Sequence, residues 1–427
     1  MSTEILTKSN IEASTNGTEA STKSEKEVQK KNKPARTPHT NPDFYNLIEL
    51  LNDEEKKKVQ EVREFMRTKV APIINKNWAE ATFPFEIIPG FRALNIAGLG
   101  LNGYGAAGGS TLLTGFVTME IAKVDSSIAT FWGVHGGLAM GSIYLCGSEE
   151  QKQKWLPSMG KMDLIGAFAL TEPLVGSGTG GGLLTTAKRE GDTWILNGQK
   201  KWIGNATWSD LTIVWAKDVD DGQVKGFIVE NKKTPGFKTE KIEGKLGLRI
   251  VQNALITMEN CRIPEENRLQ NANTFRDTAK VLRFTRAGVG WESIGCMMGA
   301  YENALAYAQQ RLQFGKPIGN FQLVQDLLVK MLGNITACMS MVITLVQHHE
   351  AGNLTEEHTS LAKYYCTVKM RETVGYAREV LGANGILVDY NVARFFADSE
   401  ALYSYEGTRE MNTLIVGKAI TGLSAFV

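Results

Sequence analysis

Read from its N-terminus, the chain changes hydrophobic period twice. Asn52 and Asp53 read as a helix cap followed by Glu54 and Glu55, and apolar residues then recur at Val59, Val62 and Met66, one face of an α-helix. Helical patterning with glycine-rich breaks continues to about Leu156. From Leu164 the texture shortens: Leu164 to Leu170 is a brief apolar run, and apolar stretches flank Asn197-Gly198 and Asp221-Gly222, pairs that suit the tight turns of β-hairpins. After about Thr274 the helical period returns. It is clearest in the stripe Val324, Leu327, Leu328, Met331, Leu332 and Ile335, set off from the preceding helix by a break at Pro317 to Gly319.

This order of periods predicts an α+β protein: a helical N-terminal domain over residues 41–162, a central antiparallel sheet or barrel over 163–274, and a helical C-terminal domain over 275–427. It excludes an alternating βαβ sheet. Residues 1–40 are rich in Ser, Thr, Lys, Asn and Glu and are expected to form a disordered tail, because they carry too little apolar surface to bury.

The length of 427 residues allows two or three such domains. With 47 basic against 46 acidic residues there is no global field for nucleic acid or an anionic membrane, so any anionic ligand must be held by local groups. No run approaches the roughly 18 unbroken apolar residues of a membrane span. Cys146, Cys261, Cys296, Cys338 and Cys366 lie far apart with no C-x-x-C pair, which argues against a metal site or a disulfide framework and for buried free thiols in a reducing compartment. The N-terminal stretch has neither the apolar run of a secretory signal nor the acid-poor character of a mitochondrial presequence, and the final Ala425-Phe426-Val427 is not a Ser-Lys-Leu type address. Neither terminus names an organelle.

Gly176 to Gly181 formally satisfies the G-x-G-x-x-G dinucleotide pattern. That pattern needs a helix directly after the glycines to meet the pyrophosphate, whereas Thr185, Thr186 and then Thr193 to Leu196 read as strand. A dinucleotide-binding βαβ unit is not expected there.

Five segments in order carry a more specific signal: Leu170-Thr171-Glu172-Pro173 with Gly176-Ser177; Trp202-Ile203-Gly204-Asn205; Arg311-Leu312-Gln313-Phe314-Gly315 with Phe321-Gln322; Leu381-Gly382-Ala383-Asn384-Gly385; and Tyr405-Glu406-Gly407-Thr408. From about Asn41 onward the chain resembles the acyl-CoA dehydrogenase and oxidase superfamily. It is similar to glutaryl-CoA dehydrogenases and, more closely, to plant peroxisomal short-chain acyl-CoA oxidases. The resemblance implies a C-terminal four-helix bundle, an FAD cofactor, an acyl-CoA substrate and a homo-oligomer, dimer or tetramer, with peroxisomal or cytoplasmic residence left open by the terminus. It also implies oxidation of a short-chain acyl-CoA to the trans-2-enoyl-CoA in fatty acid β-oxidation. Electrons would pass to dioxygen in an oxidase or to an electron-transfer flavoprotein in a dehydrogenase; a recruited desaturase of a specialised metabolite is a further alternative.

The chemistry explains the residue types. A thioester α-proton is weakly acidic, so a carboxylate must meet it while hydrogen bonds hold the carbonyl oxygen. By resemblance Glu406 is the general base, and in an apolar pocket its pKa should be raised. The alternative base position of the family corresponds to Thr285, which cannot serve. Resemblance likewise gives FAD contacts at Leu170, Thr171, Gly176, Ser177, Trp202, Ile203, Gly204 and Thr408. Arg311, Phe314, Gln322, Asn384 and Gly385 would reach the nucleotide of a neighbouring subunit, and Ser177, Arg286, Tyr405 and Gly407 would contact substrate.

Three departures from the family matter. Gly178 stands where an Asp is usual, which should loosen the glycine-rich loop. Gly204 replaces a hydroxyl-bearing residue near the flavin and favours an oxidase. No arginine occurs between Ser126 and Met140, where Ala129-Thr130-Phe131-Trp132 stands, so a dicarboxylyl thioester would leave a buried charge unpaired, and Trp132 would shorten the acyl pocket.

Overall fold

The computed structural model describes residues 38–426; the tail expected over residues 1–40 lies outside this range up to residue 37. Helix α1 (Asp53–Phe65) starts where the charge pattern puts it. Asn52 accepts from the Glu55 amide at 3.0 Å and the Glu55 carboxylate accepts from the Asn52 amide at 3.2 Å, so two otherwise orphaned donors are satisfied. Val59, Val62 and Met66 are fully buried.

Helix α2 (Thr111–Val124) is apolar nearly all round and lies at the centre of the helical layers. Helix α3 (Ser126–Gly133) follows, capped by the Asp125 side chain, and runs into wider π-helical turns over Val134–Met140. Insertions of this kind bend a helix and re-aim its side chains. Buried His135, on these turns, accepts from the Gly166 amide through Nδ1 (3.1 Å) and faces the Met159 carbonyl through Nε2 (3.0 Å), joining the helical layer to the sheet.

Burial pushes the His135 imidazole down to about 4, so it is neutral near pH 7. The unfolded chain takes up this proton as pH falls below 6.5 while the folded one does not, so stability is lost between pH 6.5 and 4. The loss from this group is expected to be about 3 kcal/mol. Thermal unfolding followed across that range for wild type and His135→Gln checks it: the difference between the two curves should narrow as pH falls.

The middle region forms a seven-stranded sheet: β1 (Gly166–Ala169), β2 (Thr186–Glu190), β3 (Thr193–Ile203), β4 (Leu211–Asp218), β5 (Val224–Glu230), β6 (Phe237–Lys241) and β7 (Ala254–Pro264), in the order β1-β4-β2-β3-β7-β6 with β5 also on β4. Two expectations need correction. The sheet is mixed, since β4 runs parallel to both β1 and β2. Between β1 and β4 the chain passes through the β2–β3 hairpin instead of a tight turn, so it returns in the same direction. Asn197-Gly198 is no hairpin turn either. It lies inside β3 at a bulge opposite β7, and a Cβ on Gly198 would come within 2.7 Å of the Thr185 backbone, so the glycine serves close approach. The β2–β3 turn is made at Gly191, and Asp221-Gly222 does connect β4 to β5. The glycine run before β2 itself contains one short helical turn, Thr179–Gly182, and no long helix follows it before β2.

The C-terminal region holds three long helices, α4 (Phe275–Gln310), α5 (Gln322–Glu350) and α6 (Glu356–Leu381), and two shorter ones, α7 (Val392–Ser404) and α8 (Arg409–Thr421). The last helical stretch of the expected bundle is thus split in two. Glu406 and Gly407 both adopt positive φ (54° and 82°), which no continuing helix allows. Helices α2 and α4 cross closely at Gly295, where a Cβ would lie 2.3 Å from the Met119 carbonyl. Helix α5 is long and apolar enough to span a bilayer by length and composition, yet its stripe Met331, Ile335, Cys338, Met339 and Val342 is buried in the core. All five cysteines are buried free thiols.

Candidate active site

The break between α7 and α8 presents Glu406. Lys363, buried on α6, donates to the carbonyls of Tyr403 (2.7 Å) and Gly407 (2.9 Å) on either side of it, and the Thr408 side chain caps α8 by accepting from the Met411 amide. Held this way, Glu406 keeps a left-handed backbone that costs a non-glycine residue energy, a form of strain that persists where the surroundings dictate it. Burial pushes the Lys363 ammonium down to about 8, against the pull of the Glu406 carboxylate.

Glu406 faces a cavity of about 410 Å³ between α2, α3 with its π-helical turns, α4 and α5. Its Oε1 accepts from Thr285 Oγ1 at 3.0 Å, and its buried Oε2 has no hydrogen-bond partner. Burial raises the Glu406 pKa above the usual carboxylate range, while Arg286, the Thr285 hydroxyl and Lys363 restrain the rise. Through its bond to Oε1, Thr285 orients the Glu406 carboxylate. The walls are largely apolar and include Trp132, Val134, Leu138, Trp291 and Val342, with exposed Lys280 and Arg283 also lining the space.

Arg286 does not line this cavity. It is buried, and its guanidinium meets Glu356 (3.1 Å) and Ser360 (3.1 Å), so it acts on Glu406 through its field. Tyr405 does line the cavity and donates to Glu292, a buried carboxyl that sequence reasoning missed. The Gly407 carbonyl is occupied by Lys363 and by Asn412, 2.9 Å away.

One side chain behind the cavity wall lies the end of β3. A Cβ on buried Gly204 would meet Val134 at 3.5 Å and Val251 at 3.4 Å. Ile203 is buried and paired with Ala254, whereas the Trp202 indole is 53% exposed with its backbone at φ 68°, and its carbonyl accepts from Asn253 Nδ2 at 3.1 Å. A large aromatic held to water by a fixed backbone offers a flat face to a ring system.

Leu170 and Thr171 are fixed beside it. The Thr171 carbonyl accepts from the Lys201 amide (2.9 Å), and buried Lys200 donates to the Leu170 carbonyl and to Glu172 Oε1, each at 2.9 Å. Burial would raise the Glu172 carboxyl, but Lys200, Thr185 and the Leu184 amide together hold it below its usual value. The amides of Leu184 and Thr185 both donate to Glu172, which closes the ends of the exposed loop carrying Gly176, Ser177 and Gly178. Glu172 thus braces the loop that carries Gly178.

The remaining candidates gather elsewhere. Arg311, Phe314 and Gln322 are exposed around a small hairpin of β8 (Leu312–Gln313) and β9 (Lys316–Pro317), and Phe314 is 91% exposed. Tyr307 links them to the next segment: its carbonyl accepts from the Arg311 amide at 2.8 Å and its hydroxyl meets Asn384 Nδ2 at 2.9 Å, beside buried Gly385. None of the five lines the cavity.

Models of the acyl-CoA dehydrogenase N-terminal, middle and C-terminal domains match residues 52–163, 167–261 and 275–421. This chain belongs to the acyl-CoA dehydrogenase family. Among its relatives, an acyl-CoA dehydrogenase of Bacillus subtilis (strain 168) is 32% identical, over 84% of this chain and 96% of its own length. An NADH-dependent acryloyl-CoA reductase of Anaerotignum propionicum is 30% identical, over 84% and 92% respectively. The structure is also similar to a glutaryl-CoA dehydrogenase from Mycobacterium smegmatis solved in complex with FADH2. The TM-score is 0.86 at 36% identity, covering 90% of this chain and 98% of that one.

Lys200, Lys363 and Glu292 escaped sequence reasoning. Lys363 had a visible signal, since it falls on the helical stripe Thr359, Cys366 and Met370, all buried.

Proposed function

We propose that this acyl-CoA dehydrogenase family member oxidises an acyl-CoA across its α and β carbons to the trans-2-enoyl-CoA, with Glu406 as general base and FAD as cofactor. The observation that carries the reading is the half-satisfied Glu406 carboxyl, raised by burial and facing an apolar cavity one side chain from Gly204. The residues present fit FAD: an exposed Trp202 face, the bare backbone of Gly204 and the braced Thr171 to Ser177 segment are where an isoalloxazine ring would rest. Exposed Arg311, Phe314 and Gln322, with half-buried Asn384 and buried Gly385 beside them, form a separate group that suits the nucleotide of a second subunit, which makes the active form an oligomer. Bound FAD supplies a hydride acceptor for the β carbon.

In this reading Glu406 Oε2 takes the α-proton, Thr285 holds Oε1 in place, and the Glu406 amide helps polarise the thioester carbonyl. Lys280 and Arg283 bring positive charge to the rim of a largely apolar space and meet the CoA phosphates. Trp132, on the cavity wall, favours short acyl chains, and the absence of an arginine between Ser126 and Met140 disfavours a dicarboxylyl thioester. The electron acceptor in this reading is a partner electron-transfer flavoprotein, and relatives that are dehydrogenases and a reductase favour such a reading over an oxidase.

One observation favours an oxidase instead. The space at Gly204 accepts a Cβ at ordinary contact distance, so dioxygen has room there in its absence. If that space admits dioxygen, Gly204→Thr lowers aerobic peroxide formation by about tenfold or more while anaerobic flavin bleaching is retained. Peroxide formation unchanged by the substitution rules the oxidase reading out.

A further inference from the structure

The cavity contains a second carboxyl group for which proton abstraction has no use. Glu292 lies seven residues beyond Thr285 on α4, hence on the same helix face about 10.5 Å further along the axis. With the thioester's α carbon at Glu406 and Thr285, Glu292 stands toward the far end of the acyl chain. It is 6% exposed and lines the cavity together with both of its partners. Thr130 Oγ1 lies 2.8 Å from Oε1 and 2.8 Å from the Ser126 carbonyl, so its one proton is shared between the two, and Tyr405 donates to Oε2.

Both partners are neutral hydroxyls, and among the described residues no basic side chain forms an ion pair with Glu292. The charged groups acting on it are Asp398 and Asp125, acidic themselves, and Asp125 is already paired with Arg394 at 2.6 Å. A carboxylate has about four acceptor sites, of which two are used here. A hydrocarbon chain filling the cavity would leave the group desolvated without a compensating donor, which is costly.

We infer that Glu292, Thr130 and Tyr405 form a polar end to the acyl pocket that selects acyl groups carrying a hydrogen-bond donor, a hydroxyl or an ammonium, near their distal end. Glu292 accepts from that donor while the hydroxyls of Thr130 and Tyr405 fix its orientation. Burial pushes the Glu292 carboxyl up to about 7, so above that pH the ionised group also repels acyl groups that end in a carboxylate. The inference rests on the proposed acyl-CoA oxidation and adds a substrate class to it.

The test is anaerobic flavin reduction in the holoenzyme by hexanoyl-CoA, its ω-hydroxy and ω-amino derivatives and adipoyl-CoA, with the butanoyl and octanoyl counterparts bracketing length. Wild type should favour at least one donor-bearing substrate over its plain counterpart by about tenfold or more in kcat/KM and should disfavour adipoyl-CoA. The hydroxy and amino arms tell a neutral donor from a cationic one. Glu292→Leu should bring the ratio to about one or invert it while hexanoyl-CoA is still oxidised. Glu292→Gln, which keeps the shape and one acceptor, should retain any hydroxyl preference and lose any ammonium preference. Equal rates with plain and donor-bearing chains in wild type, or a uniform loss across all substrates in the variants, overturns the inference alone. If no acyl-CoA bleaches the flavin, the proposed function falls and the inference with it.

Discussion

Glu406→Gln is expected to slow flavin reduction by an acyl-CoA at least about a hundredfold, the lower range for loss of a general base. The substitution keeps the side chain's shape and its contact with Thr285 Oγ1, so the fold and the cofactor content should stay close to wild type. What disappears is the proton acceptor on Oε2, the atom left without a partner. In wild type the raised pKa sets the sign of the pH dependence. Abstraction needs the carboxylate, so the reduction rate falls as pH drops through a midpoint above the ordinary glutamate range. Stopped-flow bleaching across pH reads both effects, and near-normal bleaching by Glu406→Gln removes Glu406 from the mechanism.

Lys200→Met should have the second large effect, on stability and cofactor retention. Lys200 and Glu172 form a fully buried ion pair at 2.9 Å, and removing one partner of such a pair costs about 3–5 kcal/mol because the other charge stays buried. The Leu170 carbonyl loses its donor as well, so the segment Leu170 to Ser177 loses its brace on one side. A lower midpoint of chemical unfolding and reduced flavin content after purification are the expected outcomes. The double variant Lys200→Met, Glu172→Met should recover part of the stability, because both buried charges are then gone. Equal stability of single variant and wild type contradicts the structural role given to the pair.

What was legible in the sequence was what short-range chemistry dictates. The capping box at Asn52 and Glu55 and the stripe Val59, Val62, Met66 need only a few neighbouring residues, and both are as expected. The Gly191 turn and the parallel partners of β4 were not legible. Asn197-Gly198 carries the same local signal whether the glycine makes a turn or lets Thr185 approach, and the register of distant strands decides between them.

The site divides in the same way. Glu406, Trp202 and Gly204 were singled out by motifs that resemble a known family. Glu292 and Lys200 carry no local signature of function, and Lys363 only its place on a buried stripe, since each acquires its role from a partner far away in sequence: Tyr405, Glu172 and Gly407. A buried charge on an apolar stripe, as at Lys363, is the kind of local inconsistency that marks a group with a job beyond packing.

The most direct measurement is anaerobic titration of the purified protein with butanoyl-CoA and hexanoyl-CoA, followed by flavin absorbance. A yellow protein that bleaches on addition of an acyl-CoA and releases the trans-2-enoyl product is the predicted result. A protein that stays colourless after reconstitution with FAD, or whose colour no acyl-CoA removes, would contradict it.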